Sequence, residues 1–352
     1  MLPISICIIT KNEAEKLEKC LKALRPYPFE IIVTDTGSTD HSKEIALQYA
    51  DKVIDFTWIN DFSAARNFCA SQASYDMILP MDTDEYVTEI DLDSLTDVMH
   101  KNPKGVGEIL RFDYFESNGA KHVQEVRVTR LYNRKYYTYA KPIHENIVPK
   151  NNISFYTYHI PVLVDHDGYL GSQESLDAKA LRDIQILERE LEKDSSDPYL
   201  YFQIGQSYLI MRQEQKALEY LRKAIAHNPP VNNDYTRILI KNYGEILLTE
   251  DCLEEAESVL RYYDAYQNNA DYLCLVGKLY IQRNEPLKAL PELIKALTAQ
   301  EYDSPESKKE IPSYFIGHIY QCYGQNEIAI QHFRNCGNYP PAIERLKMLG
   351  VY

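Results

Sequence analysis

At 352 residues the chain has room for two domains, each with a core of its own. Its 45% hydrophobic and 26% charged content is that of an ordinary globular protein. A formal charge of −14, from 52 acidic against 38 basic residues, argues against nucleic acid or an anionic membrane as the main partner.

In chain order, SICIIT (5–10) predicts a buried strand and NEAEKLEKCLKAL (12–24) a helix. FEIIVTD (29–35) is a second strand, and the DTGSTD turn leads from it into another helix. KVIDFTW (52–58), FSAARNFCASQA (62–73) and YDMILPMD (75–82) continue as strand, helix and strand. This alternation predicts right-handed βαβ crossovers and a mainly parallel sheet, whose ligands gather beyond the carboxyl ends of the strands. Thr10, Asp35 and Asp82 fall at such ends. Residues 105–166 are rich in β-branched and aromatic residues and predict antiparallel strands that close a first domain at residue 170. Residues 171–198 then read as a linking helix.

From residue 199 the pattern repeats. Gly205, Gly244, Gly277 and Gly317 each precede an alanine (Ala217, Ala256, Ala289, Ala329) by the same interval. A large residue follows at a further fixed step: Leu221, Leu260, Leu293 or Phe333. Small residues where two antiparallel helices touch, with large ones filling the next layer, predict about four tetratricopeptide-like units over 199–352. The seven cysteines are scattered without a CxxC pair, so a disulfide framework or zinc knuckle is not expected. With no basic n-region and no run near the ~18 apolar residues of a membrane span, the expected compartment is the cytoplasm.

The fourth strand runs straight into Asp82, Asp84 and Glu85. Carboxylates this close raise one another's pKa, so something must neutralise them. A DxD at a strand's carboxyl end suits Mg²⁺ or Mn²⁺ held together with substrate phosphates, although so short a pattern equally describes a solvated acidic turn. Asp35 is placed to accept hydrogen bonds from a nucleobase or ribose, while Ser38, Thr39 and Asp40 are ordinary N-cap residues. Arg66 stands on a helix with few competing charges and suits either diphosphate oxygens or a surface ion pair. His166 in VLVDHDGY reads as a Mn²⁺ ligand or as a hydrogen-bonded surface residue.

Taken together and in order, ISICIITKNE, EIIVTDTGSTD, FSAARN, PMDTDE, PIHEN and DHDGY resemble the bacterial family-2 glycosyltransferases of the GT-A fold over residues 3–170. With helical repeats following, the arrangement is similar to the sublancin-type peptide S-glycosyltransferases. The resemblance implies a Rossmann-like GT-A nucleotide-sugar domain followed by an all-α tetratricopeptide-like domain. It implies that Thr10 and Asp35 line a uracil–ribose pocket, with Glu13 and Thr83 in the same donor-binding set. Arg66 would face the base or diphosphate, and Asp82 the ribose or sugar. Asp84 would ligate the cation with His166 as second ligand, and the cation–donor complex would neutralise the acidic cluster.

The family's inverting class implies a single displacement with a general base opposite the nucleotide. Glu145 in PIHEN is the candidate, with His144 beside it; Asp113 and Glu116 are weaker ones. HENIV is no metalloprotease signature, because Val148 stands where HExxH needs its second histidine. The expected reaction moves a hexose or N-acetylhexosamine from a UDP-sugar to a peptide or protein side chain, a cell-surface glycan or lipid-linked acceptor being the alternative. The repeats are expected to select the acceptor or dimerise the enzyme, and because some 170 residues is compact for this fold, to build part of the acceptor side. A dehalogenase-type phosphatase would want Thr or Val where Tyr86 stands. A pure scaffold would explain the repeats and none of the first half.

Overall fold

The computed structural model describes residues 3–117, 120–167 and 172–352. The chain divides into two compact units, residues 1–179 and 180–352. In the first, β1 (Ile4–Thr10), α1 (Ala14–Leu24), β2 (Glu30–Asp35), α2 (Ser42–Tyr49), β3 (Lys52–Asp55), α3 (Phe62–Ser71) and β4 (Met77–Met81) follow the predicted alternation. Two elements with no clear sequence signal come next, β5 (Glu85–Ile90) and α4 (Leu92–Lys101). The remaining strands are β6 (Val106–Ser117), β7 (Ala120–Asn133), β8 (Tyr137–Ala140), β9 (Asn146–Pro149) and β10 (Thr157–His166).

Among the described residues an eight-stranded sheet runs in the order β3-β2-β1-β4-β7-β6-β10-β5, and β8 pairs with β9 alone. The first four strands are parallel. The β6–β7 hairpin then imposes antiparallel pairing on β4, and β10 lies parallel to β6 but antiparallel to β5. The sheet is therefore mixed, uniformly parallel only over β3-β2-β1-β4, where a mainly parallel one was expected.

Alternate residues of each strand serve opposite faces, as the pleat requires. Ile4, Ile6 and Ile8 of β1 join Leu17, Leu21 and Leu24 of α1, Ala46 of α2 and Leu95 of α4 in one core. Cys7 turns the other way, into a core with Cys69 and Ala70 of α3 and with Tyr132, Tyr137 and Tyr139. On α1, Leu17, Cys20, Leu21 and Leu24 recur at helical spacing and are buried, which gives that helix its single apolar stripe.

α5 (Gln173–Lys193) leads into the second unit. There α6 (Pro198–Ile210), α7 (Glu214–Ala226), α8 (Asp234–Thr249), α9 (Leu253–Ala256), α10 (Tyr263–Tyr266), α11 (Ala270–Gln282), α12 (Pro286–Thr298), α13 (Glu310–Cys322), α14 (Asn326–Asn335) and α15 (Pro340–Met348) follow. The spacing argument holds physically in three units. A methyl group added at Gly205, Gly277 or Gly317 would meet Leu221, Leu293 or Phe333 at 2.6–2.8 Å, so only glycine allows the helix pair to close. The second unit departs from it. Gly244 packs against Leu275 of the following unit, because α9 gives way after one turn to a 3₁₀ segment, Glu257–Tyr262, which carries Leu260. The tyrosines here mostly pack, as Tyr199 does against Phe202 and Tyr235. Among the described residues no helix is long and apolar enough to cross a membrane.

Candidate active site

Strand register brings the motif residues together. Thr10 pairs with Asp35 across β1 and β2. His166 lies opposite Glu85 on β5 and opposite Asp113 on β6. Thr10 offers its carbonyl to both the N–H and the hydroxyl of Thr36 at 2.9 Å, while its own Oγ1 is buried with no partner among the described residues. Asp35 is buried, and each of its carboxylate oxygens lies 3.2 Å from the Ser38 N–H. The turn that follows works differently from the expected cap. Ser38 Oγ, Asp40 Oδ2 and Ser42 Oγ accept from the N–H groups of Asn12, Ala14 and Glu13, so they satisfy the start of α1 rather than only their own helix. Asn12 returns the bond to Thr39 N–H at 2.7 Å from a left-handed backbone, φ 54°.

The FSAARN segment explains itself in the same way. Asp61 caps α3 by accepting from Ala64 N–H at 2.8 Å. Asn67 accepts from Tyr139 N–H at 3.0 Å and donates to its carbonyl at 2.9 Å, and Ser63 donates to the Lys141 carbonyl. Both tie the β8–β9 hairpin to α3. The loop of that hairpin carries His144, exposed and at φ 51°, and Glu145. Between Ser63 and Asn67, Arg66 is only 7% exposed and is no surface ion pair. Its Nε donates to Glu145 at 2.6 Å and its Nη2 to Asp82 at 2.6 Å, while Nη1 has no partner among the described residues.

From Arg66 the charges alternate without a break. Arg130 on β7 donates to Asp82 at 2.8 Å and to Glu85 at 2.6 Å. Arg111 on β6 bonds Glu85 at 3.0 Å and grips Asp113 through two nitrogens at 2.7 and 3.0 Å. Asp113 in turn holds His166 Nδ1 at 2.9 Å, and His166 Nε2 faces Asp84 at 3.7 Å. Glu145, Arg66, Asp82, Arg130, Glu85, Arg111, Asp113, His166 and Asp84 thus form one ladder. The acidic cluster is neutralised largely by the chain itself, which corrects the expectation that a bound cation–donor complex does so. Arg111 and Arg130 were not anticipated; isolated arginines on β-branched strands give no signal of where they point. Asp113, weighed as a base, is committed to Arg111 and His166. The side chain of Glu116, and Gly168 and Tyr169 of the DHDGY run, lie outside the described residues.

The two aspartates of the DxD differ electrostatically. Burial opposes ionisation of Asp82, but the Arg66 and Arg130 guanidiniums outweigh it and hold the carboxyl well below the usual range. Burial pushes the Asp84 carboxyl up, the Asp82 charge adds to this, and His166, Lys16 and Lys179 pull only partly against it. Thr83 is buried between them, and Glu85 closes the turn by accepting from Asp82 N–H at 3.1 Å. Glu13 begins α1 and faces Lys179 at 3.4 Å. Among the described residues no three His, Cys, Asp or Glu side chains converge as a ready-made metal cluster. The donor set nonetheless suits a hard cation. Asp84 is the under-compensated carboxylate, and His166 is oriented by a carboxylate behind it, as metal-binding imidazoles commonly are.

Residues 5–159 match the family model for glycosyl transferase family 2, and residues 198–230 match a tetratricopeptide repeat. The matched first unit has Rossmann-like GT-A architecture, and tetratricopeptide-like repeats follow it. The chain is similar to the SPbeta prophage-derived glycosyltransferase SunS of Bacillus subtilis, 26% identical over 331 residues that cover 87% of this chain and 74% of that one. It is 31% identical over 241 residues to a TPR repeat-containing protein of Synechococcus elongatus, covering 65% of this chain and 58% of that one. The lipopolysaccharide core biosynthesis glycosyltransferase LpsC of Rhizobium meliloti is 28% identical over 161 residues, 43% of this chain and 59% of its own.

Proposed function

We propose that the chain transfers a hexose or N-acetylhexosamine from a UDP-sugar to a peptide or protein side chain, with inversion and with a divalent cation. The observation that carries this reading is the gathering of Thr10, Asp35, Arg66, Asp84 and His166 at the carboxyl ends of β1, β2, β4 and β10 and the neighbouring α3. The buried Thr10 hydroxyl and Arg66 Nη1, both without partners among the described residues, fit a nucleoside diphosphate better than a solvated turn. Thr10 and Asp35 would hold the nucleoside, and Arg66 would orient the diphosphate while holding Asp82 and Glu145 in place.

Asp84 and His166 are the residues that would hold Mn²⁺ or Mg²⁺, with the remaining ligands from the diphosphate. When bound, such a cation supplies Lewis-acid stabilisation of the leaving diphosphate. The acceptor thiol or hydroxyl attacks the anomeric carbon as the glycosidic C–O bond breaks, and its proton passes to Glu145, which Arg66 holds in place at 2.6 Å. A thiol acceptor asks less of that base, since thiols are partly ionised near neutral pH. The acceptor reading is favoured over a glycan because the similarity to SunS runs through the repeats, whereas that to LpsC covers a length fitting the catalytic domain alone. Repeats of this kind present extended surfaces to peptides.

The test is UDP release from a panel of UDP-sugars with a peptide acceptor library, with and without EDTA. Turnover restored by Mn²⁺ or Mg²⁺ and lost in Asp84→Ala is the expected result. Full turnover in chelator, with Asp84→Ala unaffected, would sink the cation reading, and the absence of any UDP-sugar turnover would sink the donor assignment.

A further inference from the structure

We propose that Lys16 and Lys179 are diphosphate-binding residues, held on Asp84 in the free enzyme and transferred to the donor when it binds. The inference rests on the reading of Asp84 as the cation-binding carboxylate. Lys16 stands in the first turn of α1 and Lys179 on α5, far apart in sequence and in no motif. Their ammonium groups nevertheless converge on the same oxygen, Asp84 Oδ2, at 3.7 and 4.0 Å. Lys179 also faces Glu13 at 3.4 Å. The side chains are 26% and 34% exposed, so their charges act through a less screening medium than open water.

These separations compensate charge without locking it. They exceed the ~2.7–3.2 Å of a direct N–H···O bond, and a lysine stem swings freely, unlike the arginine forks that grip Asp82. Asp82 and Glu85 are therefore held by charges that stay, and Asp84 by charges that can leave. With a divalent cation held by Asp84, both ammonium groups would be repelled from that carboxylate. Diphosphate oxygens bound beside the same carboxylate would fall inside the reach of either stem, since both ammonium groups already stand 3.7 and 4.0 Å from it. As the bond from the anomeric carbon to the diphosphate oxygen breaks, its electron pair stays on that oxygen. The diphosphate gains one negative charge, and two cations beside it stabilise that charge where it develops.

The test uses the full chain with Lys16→Met, Lys179→Met and the double substitution. Calorimetry measures UDP, inorganic pyrophosphate (both with Mn²⁺) and uridine; electron paramagnetic resonance measures Mn²⁺ alone. Charge-assisted contacts of this exposure predict a loss of about tenfold per lysine for UDP and pyrophosphate. Uridine binding stays unchanged, Mn²⁺ alone binds at least as tightly because its competitors are gone, and Lys16→Arg retains most UDP affinity. Unchanged UDP affinity in the double variant overturns the proposal, and so does an equal loss for uridine, which marks a structural role. Lysine variants that lose UDP while Asp84→Ala and chelation leave it untouched keep the lysine contact and refute the cation reading instead.

Discussion

Arg130→Met removes the central rung of the ladder. One guanidinium nitrogen of Arg130 serves Asp82 at 2.8 Å and Glu85 at 2.6 Å, and Glu85 is wholly buried. Taking one partner from a buried ion pair costs about 3–5 kcal/mol, because the other charge is left uncompensated away from water. Here each carboxylate keeps a second arginine, Arg66 for Asp82 and Arg111 for Glu85, which sets the expectation at the lower end, about 3 kcal/mol. With a urea slope of about 2 kcal/mol/M, the midpoint falls by roughly 1.5 M. Trp58, the single tryptophan, packs edge-on against Phe62 at 4.8 Å and reports on this unit by fluorescence. Adding Glu85→Gln to Arg130→Met should recover part of the loss, since the uncompensated charge is then gone. A single variant within about 0.5 kcal/mol of the wild type, or a double variant whose losses simply add, would refute the account of the ladder as mutual neutralisation.

Asp113→Ala removes the carboxylate behind His166, and Mn²⁺ affinity measured by paramagnetic resonance should fall about 10–100-fold with uridine binding intact; equal Mn²⁺ binding would show that Asp113 does not orient the ring. Asp35→Ala should weaken UDP and uridine alike, by about 1.5–3 kcal/mol for a lost charged hydrogen bond, and unchanged affinity in calorimetry would remove Asp35 from the nucleoside site. In the repeats, buried Asp271 binds Lys241 at 2.7 Å and accepts from Asp303 N–H and the Ser304 and Ser307 hydroxyls. Burial works against its ionisation, yet Lys241 and these donors lower its pKa, so its stabilisation is complete above the unfolded value of about 3.9 and is lost as pH falls through the folded one. Asp271→Asn should therefore lower the melting temperature at pH 7, and the difference from the wild type should begin to shrink below about pH 4 and close as pH falls through the lower folded value; a pH-independent difference in far-UV melts would contradict this.

The parts of the molecule legible in the sequence are those with a local signal. β1 to β4 and α1 to α3 could be read because each strand is a continuous apolar run and each helix an interrupted one. The glycine–alanine spacing exposed the repeats because close helix contact tolerates no side chain at Gly205, Gly277 and Gly317. β5 was missed because its glutamate and tyrosine read as an extension of the acidic turn, although Glu85 and Tyr86 are buried. The second unit misled because Gly244 keeps its place while its partner comes from the next unit, as Leu275. The mixed sheet could not be read either, since alternating residues specify a strand's faces and not its direction.

The same distinction runs through the site. A motif marks residues that are neighbours in the chain, and DTDE presents three acids as one cluster. Folding sorts them by the cations that three distant segments deliver. Arg66 from α3 and Arg130 from β7 take Asp82, and Arg130 with Arg111 from β6 takes Glu85, all through direct bonds of 2.6–3.0 Å. Asp84, between them in sequence, meets among the described charged side chains only His166, Lys16 and Lys179, at 3.7–4.0 Å. Two of the acids are thus bound into the protein's own electrostatics, and the one between them keeps a charge that exchangeable partners must satisfy. On the proposed reading, that asymmetry, rather than the number of carboxylates, is what would mark Asp84 for a cation. It arises from side chains that α1, α3, α5, β6, β7 and β10 bring to the turn between β4 and β5, which no local stretch of the sequence contains.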